Sequence, residues 1–415
     1  MKRLFGSWLF IILMISIDLY VFQALKMVTE SLPNRYRLII HAVYWSFTVV
    51  AVMLFLLIPY IGFENLPGFI RTHVFAIVVG FFIAKLIASL FFLIDDFRRI
   101  LQWGGVKAIK IARSSTESDD QPITRSIFLS WLGIGIGGSL FGSLLYGFSN
   151  KYSYKVEKVK LHFKHLPESF RGLKIVQISD IHSGSLTDHA AVARGVQKIL
   201  DMEPDVIFFT GDLVNNVADE MDELKKVFSK LNAPLGVYSI LGNHDYGDYV
   251  PWESQEAKAS NLEKLKSIHR EMGWRLLLNE HVPIERGGEQ IALIGVENWG
   301  AKARFSKYGD LSKAYEGSEK YPFKMLLSHD PSHWEAEVCK QYSDIDLVFS
   351  GHTHGMQFGV EIPGFRWSPV QYVYRQWAGI YQKSHQKLYV NRGFGFLGYP
   401  GRVGILPEIT FMELT

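Results

Sequence analysis

The sequence predicts a membrane-embedded helical region followed by a water-soluble α/β domain. Two observations carry that prediction. Four apolar runs of bilayer length fall within the first 150 residues. From Lys151 onward, short hydrophobic strands alternate with amphipathic helices and end repeatedly in clusters of Asp, Asn and His. Composition alone hides this split, because 48% hydrophobic residues over 415 positions is ordinary for a globular chain. A net charge of +3 is too small and too diffuse to argue for nucleic acid. The single cysteine, Cys339, excludes an internal disulfide framework and a cysteine metal cluster. It falls in a short helix predicted over Ser332 to Lys340, where packing or surface exposure is its expected role.

The four runs are Leu4 to Leu25, Leu38 to Ile58, Val74 to Ile94 and Ile127 to Phe148. Each approaches the roughly 20 residues that cross a bilayer. The first follows Lys2 and Arg3 as a signal peptide would, but it is long, stays bulky to its end and has no small-x-small cleavage pattern, so a retained anchor is expected. The fourth is glycine-rich, which permits close helix packing. Asp18 and Lys85 lie inside apolar runs, where each would cost roughly 2.5 to 3.5 kcal/mol at a helix centre. A mutual interhelical pair would relieve that cost, and so would Asp18 near an interface with Lys85 snorkelling. The basic residues Arg98, Arg99, Lys107, Lys110, Arg113 and Arg125 between the third and fourth runs, with Lys26, Arg35 and Arg37 after the first, place those loops in the cytoplasm. Everything after Phe148 is then extracytoplasmic, although Lys2, Arg3, Lys151, Lys155, Lys158 and Lys160 weigh the other way. Ser114 to Pro122 is the most linker-like stretch.

In the soluble region, the strand Leu173 to Ile178 ends in Asp180 and His182. A helix follows, with Val192, Val196, Ile199 and Leu200 on one face and Thr187 or Asp188 placed to cap it. The strand Asp205 to Phe209 ends in Gly211-Asp212, and Met221, Leu224, Phe228 and Leu231 predict another helix. Val237 to Leu241 ends in Gly242-Asn243-His244-Asp245. A further amphipathic helix ends near Met272-Gly273, and the strands Trp274 to Leu278 and Ile291 to Val296 are expected to join through the Arg286-Gly287-Gly288 turn. Met325 to Ser328 delivers His329, and Leu347 to Ser350 delivers His352 and His354. The carboxyl ends of strands in an open α/β sheet form one crevice, so these clusters converge.

Imidazole and carboxylate are ligands for divalent metals, and alternate residues of an extended His-x-His segment can serve two adjacent ions. Singly, each has a mundane reading: a strand-end Asp caps a helix, and a lone His is a core or surface residue. Nine of the fourteen histidines, His41, His73, His162, His165, His189, His269, His281, His333 and His385, are read that way. The ordered set is different. Asp-x-His, Gly-Asp, Gly-Asn-His-Asp, a separate His and Gly-His-x-His, over Leu173 to Gly355, resemble the signature of the calcineurin-like metallophosphoesterases. The group most similar is that of bacterial membrane-anchored members, related in motif to enzymes that cleave lipid-linked pyrophosphates such as UDP-diacylglucosamine.

That resemblance implies a two-sheet αββα sandwich over residues 151–415, behind a membrane domain over residues 1–150 of an integral protein of a bacterial cell membrane. It implies two divalent ions, Mn, Fe or Zn, with Asp180, His182 and His354 on one, Asn243, His329 and His352 on the other, and Asp212 bridging them. A hydroxide between the ions would attack phosphorus with His244 as the general acid. Where the phosphoprotein phosphatase branch has Asp and Arg, this chain has Asn215 and Asn216, which leaves the carboxylate orienting His244 open, with Asp245 one candidate. In the tail Asn391 to Arg402, Arg392 or Arg402 is expected to contact phosphate at the rim, unless the segment is a structural strand and turn. The membrane helices favour a phospholipid, a lipid-linked phosphate or an envelope precursor as substrate, and no nucleic-acid partner is expected. The rival readings are an inactive membrane sensor or scaffold, disfavoured because every motif position is filled, a phosphodiesterase acting on soluble esters, and a nuclease.

Overall fold

The computed structural model describes residues 2–62, 66–113, 124–302 and 306–415. It divides into two compact units, Met1–Tyr146 and Gly147–Thr415. The linker-like stretch Ser114 to Pro122 lies outside the described residues.

The first unit consists of α1 (Lys2–Val28), α2 (Asn34–Ile61), a π-helical turn Ile70–Val74 leading into α3 (Phe75–Arg113), and α4 (Ile127–Gly147). Four spans here are long and apolar enough to cross a membrane. Their outward faces carry Leu9, Ile12, Val49, Leu90 and Leu93, as hydrocarbon-facing helices require. The third helix runs well past Ile94, where the sequence suggested an end. Its charged continuation is stitched along one face by Arg98 to Asp95 at 2.9 Å and Arg99 to Asp96 at 3.0 Å. Gly137 lets α4 close onto α3, since a Cβ there would stand 2.7 Å from the carbonyl oxygen of Ala84.

Asp18 and Lys85 form an ion pair, with side chains 0% and 5% exposed. Thr48 donates its hydroxyl to the same carboxylate at 2.6 Å, and Tyr44 donates to the Asp18 carbonyl at 2.8 Å. One buried charge thus pins α1, α2 and α3 together, which selects the pair over the snorkelling arrangement. Lys85→Met leaves that carboxylate without its counter-ion. It should cost about 3 kcal/mol more than the double variant Asp18→Asn with Lys85→Met. Thermal unfolding in detergent measures the difference, and equal stability of single and double variants would refute the pinning role.

The second unit begins with β1 (Lys155–Leu161), β2 (Lys174–Ile178), α5 (His189–Leu200), β3 (Val206–Phe209), α6 (Lys225–Phe228), β4 (Val237–Ser239), α7 (Gln255–Glu271) and β5 (Arg275–Leu276). It continues through β6 (Glu280–Arg286), β7 (Glu289–Gly295), α8 (Leu311–Tyr315), β8 (Lys324–Leu327), α9 (Cys339–Gln341) and β9 (Leu347–Ser350). The last strands are β10 (Val360–Ile362), β11 (Phe365–Trp367), β12 (Gly379–Lys383), β13 (Gln386–Val390) and β14 (Glu408–Leu414). Two six-stranded sheets result, in the orders β1-β14-β2-β3-β4-β5 and β12-β13-β9-β8-β7-β6. The runs β2 to β5 and β7-β8-β9-β13 are parallel. Ile175, Val206 and Phe208 of one sheet pack against Leu293, Met325 and Phe349 of the other. The outer face of the first sheet is covered by Val192 and Val196 of α5 and Leu265 and Ile268 of α7. Leu311, Trp334 and Val338 cover the second. This is the two-sheet αββα sandwich.

One open choice is decided and two local expectations change. Asp188, rather than Thr187, caps α5 by accepting the Ala191 amide at 2.9 Å. The Gly287-Gly288 turn joins β6 to β7, so the segment after Trp274 is not the hairpin partner. The strand β6 is masked in the sequence by Pro283, which is tolerated because β6 is an edge strand. The helix expected over Met221 to Leu231 is a 3-10 turn, Ala218–Met221, and the single turn α6. There the Glu220 carboxylate takes the backbone N–H groups of Asn215, Asn216 and Val217 at 2.5, 3.1 and 3.2 Å, tying the loop after Asp212 to the start of the 3-10 turn.

Candidate metal centre

Parallel pairing sends β2, β3, β4, β8 and β9 to the same end of the sandwich, and the chain turns sharply as each strand is released. Ten non-glycine residues have positive φ among the described residues, and five of them are Asp180, His182, Asp212, His352 and His354. Each such conformation costs on the order of 1 to 3 kcal/mol, so the surrounding structure has to hold it. Gly351 is one reason it can: a Cβ there would collide with the Ser179 hydroxyl and an Asp180 carboxylate oxygen. The two sheets are cross-linked at this edge. Gln177 donates to the Ser350 carbonyl at 2.9 Å, and the His352 amide donates to Asp180 at 2.9 Å.

All seven residues proposed as ligands arrive in one place. Asp180, His182 and His354 bring donor atoms within 4.8 Å of one another, and so do Asp212, His329 and His352. The Nε2 atoms of His182 and His354 face each other at 3.0 Å, with Asp180 Oδ1 3.3 Å from the latter. In the second group, Asn243 Oδ1 stands 2.8 Å from His352 Nδ1 and 3.2 Å from His329 Nε2. Tyr249 accepts the Asn243 amide N–H at 2.9 Å, which aims the amide oxygen at those rings. Asp212 Oδ2 lies between the groups, 3.6 Å from His182 Nε2 and 3.2 Å from His329 Nε2.

The electrostatics match a place for cations. Burial holds His182 near 3 and pushes His352 and His354 below the ordinary imidazole range, so these rings are neutral, as a metal ligand must be. Burial opposes protonation of His329 too, but Asp212, Asp180 and the Thr210 carbonyl outweigh it and bring the ring to about 10. Burial also raises Asp212, yet the histidines around it, His329 foremost, hold its carboxyl well below the usual range. Burial lifts Asp180 to about 6. A proton on His329 answers a buried carboxylate charge that a divalent ion would answer better, and the oxygen and imidazole donors suit Mn, Fe or Zn.

His244 sits beside this cluster with its amide bonded to Asp212 Oδ1 at 2.8 Å and its Nδ1 2.7 Å from the Asn215 carbonyl. The orienting group is therefore a backbone carbonyl. Asp245 has other work: its carboxylate accepts the amides of Gly242, Asp212, Leu213 and Val214 at 2.8, 2.9, 2.8 and 3.3 Å, holding the Asp212 loop. Arg392 and Arg402 do not stand on the rim. Arg392 is buried between Glu408 and Glu361. Arg402 is fully buried and donates to the carbonyls of His354, Arg392, Gly393 and Gly395. Both guanidiniums support the loops beneath the histidines, in place of the phosphate contact expected of them.

Two residues were missed by sequence reasoning. Tyr374 places its hydroxyl 2.8 Å from His352 Nε2 and donates to the buried Asp330 at 3.2 Å. With Nδ1 turned toward Asn243 and His329, an ion held there would leave the His352 proton on Nε2, where the tyrosine hydroxyl would receive it. Asp330 directly follows His329, which was a usable signal, whereas nothing in the sequence marks Tyr374. Tyr374→Phe and Asp330→Asn should weaken binding of the second metal about 10- to 100-fold while the fold persists. Titration calorimetry with Mn on the metal-free chain measures this, and unchanged affinity in both variants would remove them from the site.

Residues 2–151 match the family model described as the probable calcineurin-like phosphoesterase transmembrane domain, and residues 173–356 match that of the calcineurin-like phosphoesterases. The chain is 32% identical over 267 residues to a transmembrane protein with metallophosphoesterase domain of Danio rerio, covering 63% of this chain and 57% of that one. It thus spans little more than half the length of that relative. Identity to the uncharacterized metallophosphoesterase YkuE of Bacillus subtilis is 30%, over 60% of this chain and 81% of the relative. Identity to the UDP-2,3-diacylglucosamine pyrophosphatase LpxG of Chlamydia muridarum is 28%, over 55% of this chain and 81% of the relative. On these matches, and with a membrane domain ahead of its αββα sandwich, the chain belongs to the calcineurin-like phosphoesterase family.

Proposed function

We propose that this chain is a membrane-anchored hydrolase of phosphoester or pyrophosphate bonds that works with two divalent ions. The observation that carries the reading is the buried Asp212 carboxylate, one oxygen of which stands between His182 and His329 while the other accepts the His244 amide. Asp180, His182 and His354 would hold one ion, Asn243, His329 and His352 the other, and Asp212 would be shared. Such a pair supplies positive charge for the phosphoryl oxygens and lowers the pKa of a water toward neutrality. The carbonyl of Asn215 at Nδ1 leaves His244 Nε2 to give a proton to the departing oxygen.

Residues 1–150 would form the membrane domain and residues 151–415 the catalytic domain of a protein of the bacterial cell membrane, with the catalytic side extracytoplasmic on the loop charges. A lipid-linked or envelope phosphoester or pyrophosphate is the substrate class we favour. It is supported by the four apolar spans and by the likeness to a UDP-2,3-diacylglucosamine pyrophosphatase.

The experiment is a substrate panel on the purified full chain loaded with Mn, Fe or Zn, comparing wild type with His244→Asn. An alkoxide leaves poorly without a proton, whereas a nitrophenolate leaves unaided. The variant should lose about 10²- to 10⁴-fold on an alkyl phosphoester and far less on a nitrophenyl ester, with metal content unchanged. No hydrolysis by wild type with any of the metals would overturn the enzyme reading. Equal losses on both esters would overturn the role of His244.

A further inference from the structure

The hairpin of β10 and β11 is built inside out. Its register pairs Val360 with Trp367, Glu361 with Arg366 and Ile362 with Phe365, across the turn Pro363-Gly364. In an antiparallel ribbon, directly opposed residues share a face and successive residues alternate. Glu361 and Arg366 occupy one face, Val360, Ile362, Phe365 and Trp367 the other. In a water-soluble ribbon the apolar face is the one that packs inward. Here the polar face does. Glu361 takes the Arg392 guanidinium at 2.5 Å, and Arg366 lies 5.1 Å from the Trp377 ring. The apolar face is left outward, with Ile362 58% and Phe365 53% exposed, and just beyond it Tyr372 is 77% exposed. A contiguous exposed apolar patch of this kind marks a contact surface.

What covers it is indicated by the root of the hairpin. The Gly359 amide donates to the Val403 carbonyl at 2.9 Å, and the Val403 amide donates to Gln357 at 2.8 Å. The adjoining Arg402 amide donates to the Gly147 carbonyl at 2.9 Å, and Asn150 donates to the Arg402 carbonyl at 3.3 Å. Gly147 is the last residue of α4, within an apolar span that runs Ile127–Asn150. The apolar span Ile127–Asn150 therefore runs directly into the residues that fasten the hairpin root. Trp367 and Tyr372, linked at 3.4 Å, are the side chains enriched at a membrane interface. The same segment flanks the metal centre: it begins just after His354 and ends at Tyr374, on His352.

We propose that the β10-β11 tip, with Tyr372, inserts into the lipid bilayer and holds the metal centre against the membrane surface, where the ester of a membrane-embedded phospholipid or lipid pyrophosphate can reach it. The insertion stands by itself, and the substrate statement rests on the function proposed above. The test uses the full chain with Cys339→Ser, carrying either Phe365→Cys or, as a control, Lys313→Cys. Each cysteine bears an environment-sensitive fluorophore, and the protein is reconstituted in phosphatidylcholine and phosphatidylglycerol vesicles. The label at 365 should be blue-shifted and quenched by lipids carrying a nitroxide on the acyl chain, and the label at 313 by aqueous iodide alone. Iodide quenching at 365 equal to that at 313 would overturn insertion. Shielding from both quenchers would do so too, and would assign the face to a second copy or another protein. In a second arm, Ile362→Glu with Phe365→Glu should keep turnover of a soluble nitrophenyl ester but lose about tenfold or more on a vesicle-embedded lipid phosphoester. Equal turnover on both substrates would refute the positioning role. Loss of the soluble activity in wild type would instead count against the hydrolase reading and leave the fluorescence result standing.

Discussion

The structure depends on keeping one carboxylate charged inside protein. Asp212 is almost entirely buried, at the end of a strand that is itself buried on both faces, and an isolated ion there would be far too costly. Everything near it reduces that cost. Asp245 gathers four amides to fix the loop, His244 donates its amide, and His182 and His329 face the outer oxygen. The left-handed backbone at five site residues, the glycine at 351 and the cross-links between the sheets follow from the need to bring donors from five strand ends to that oxygen. Phosphoester chemistry uses the same feature: a site that pulls in cations also presents them to phosphate.

The site was legible in the sequence because each donor needs a strand end, and strand ends are written as an apolar run followed by a turn. The tripled pattern of strand, polar cluster and helix, with the two histidine segments, picked out the candidate ligands that the structure brings together, without long-range information. The hidden features are those set by distant partners. Arg392 and Arg402, among glycines and aromatics, look like phosphate contacts, and only burial beside Glu408 and the loop carbonyls identifies them as supports. Tyr374 is one tyrosine among nineteen until its hydroxyl is seen on His352. Pro283 disguised an edge strand, and nothing in the spacing of Met221, Leu224 and Phe228 marks the break between the 3-10 turn and α6.

The membrane unit uses the same economy of charge. A hydrocarbon-facing exterior conceals the Asp18 and Lys85 pair, and Thr48 completes the carboxylate's hydrogen bonding. The reversed β10-β11 ribbon turns its polar face onto the catalytic domain and its apolar face outward. In both places a rule of soluble proteins is inverted, and in both the inversion is what contact with lipid demands.

Elemental analysis of the purified chain and of Asp212→Asn, with hydrolysis assayed on the same samples, tests the account most directly. The wild type should carry close to two divalent ions per chain. The variant, which keeps the shape of the side chain but not its charge, should carry fewer and lose turnover. Two ions retained in the variant with hydrolysis unimpaired would contradict the account at its centre.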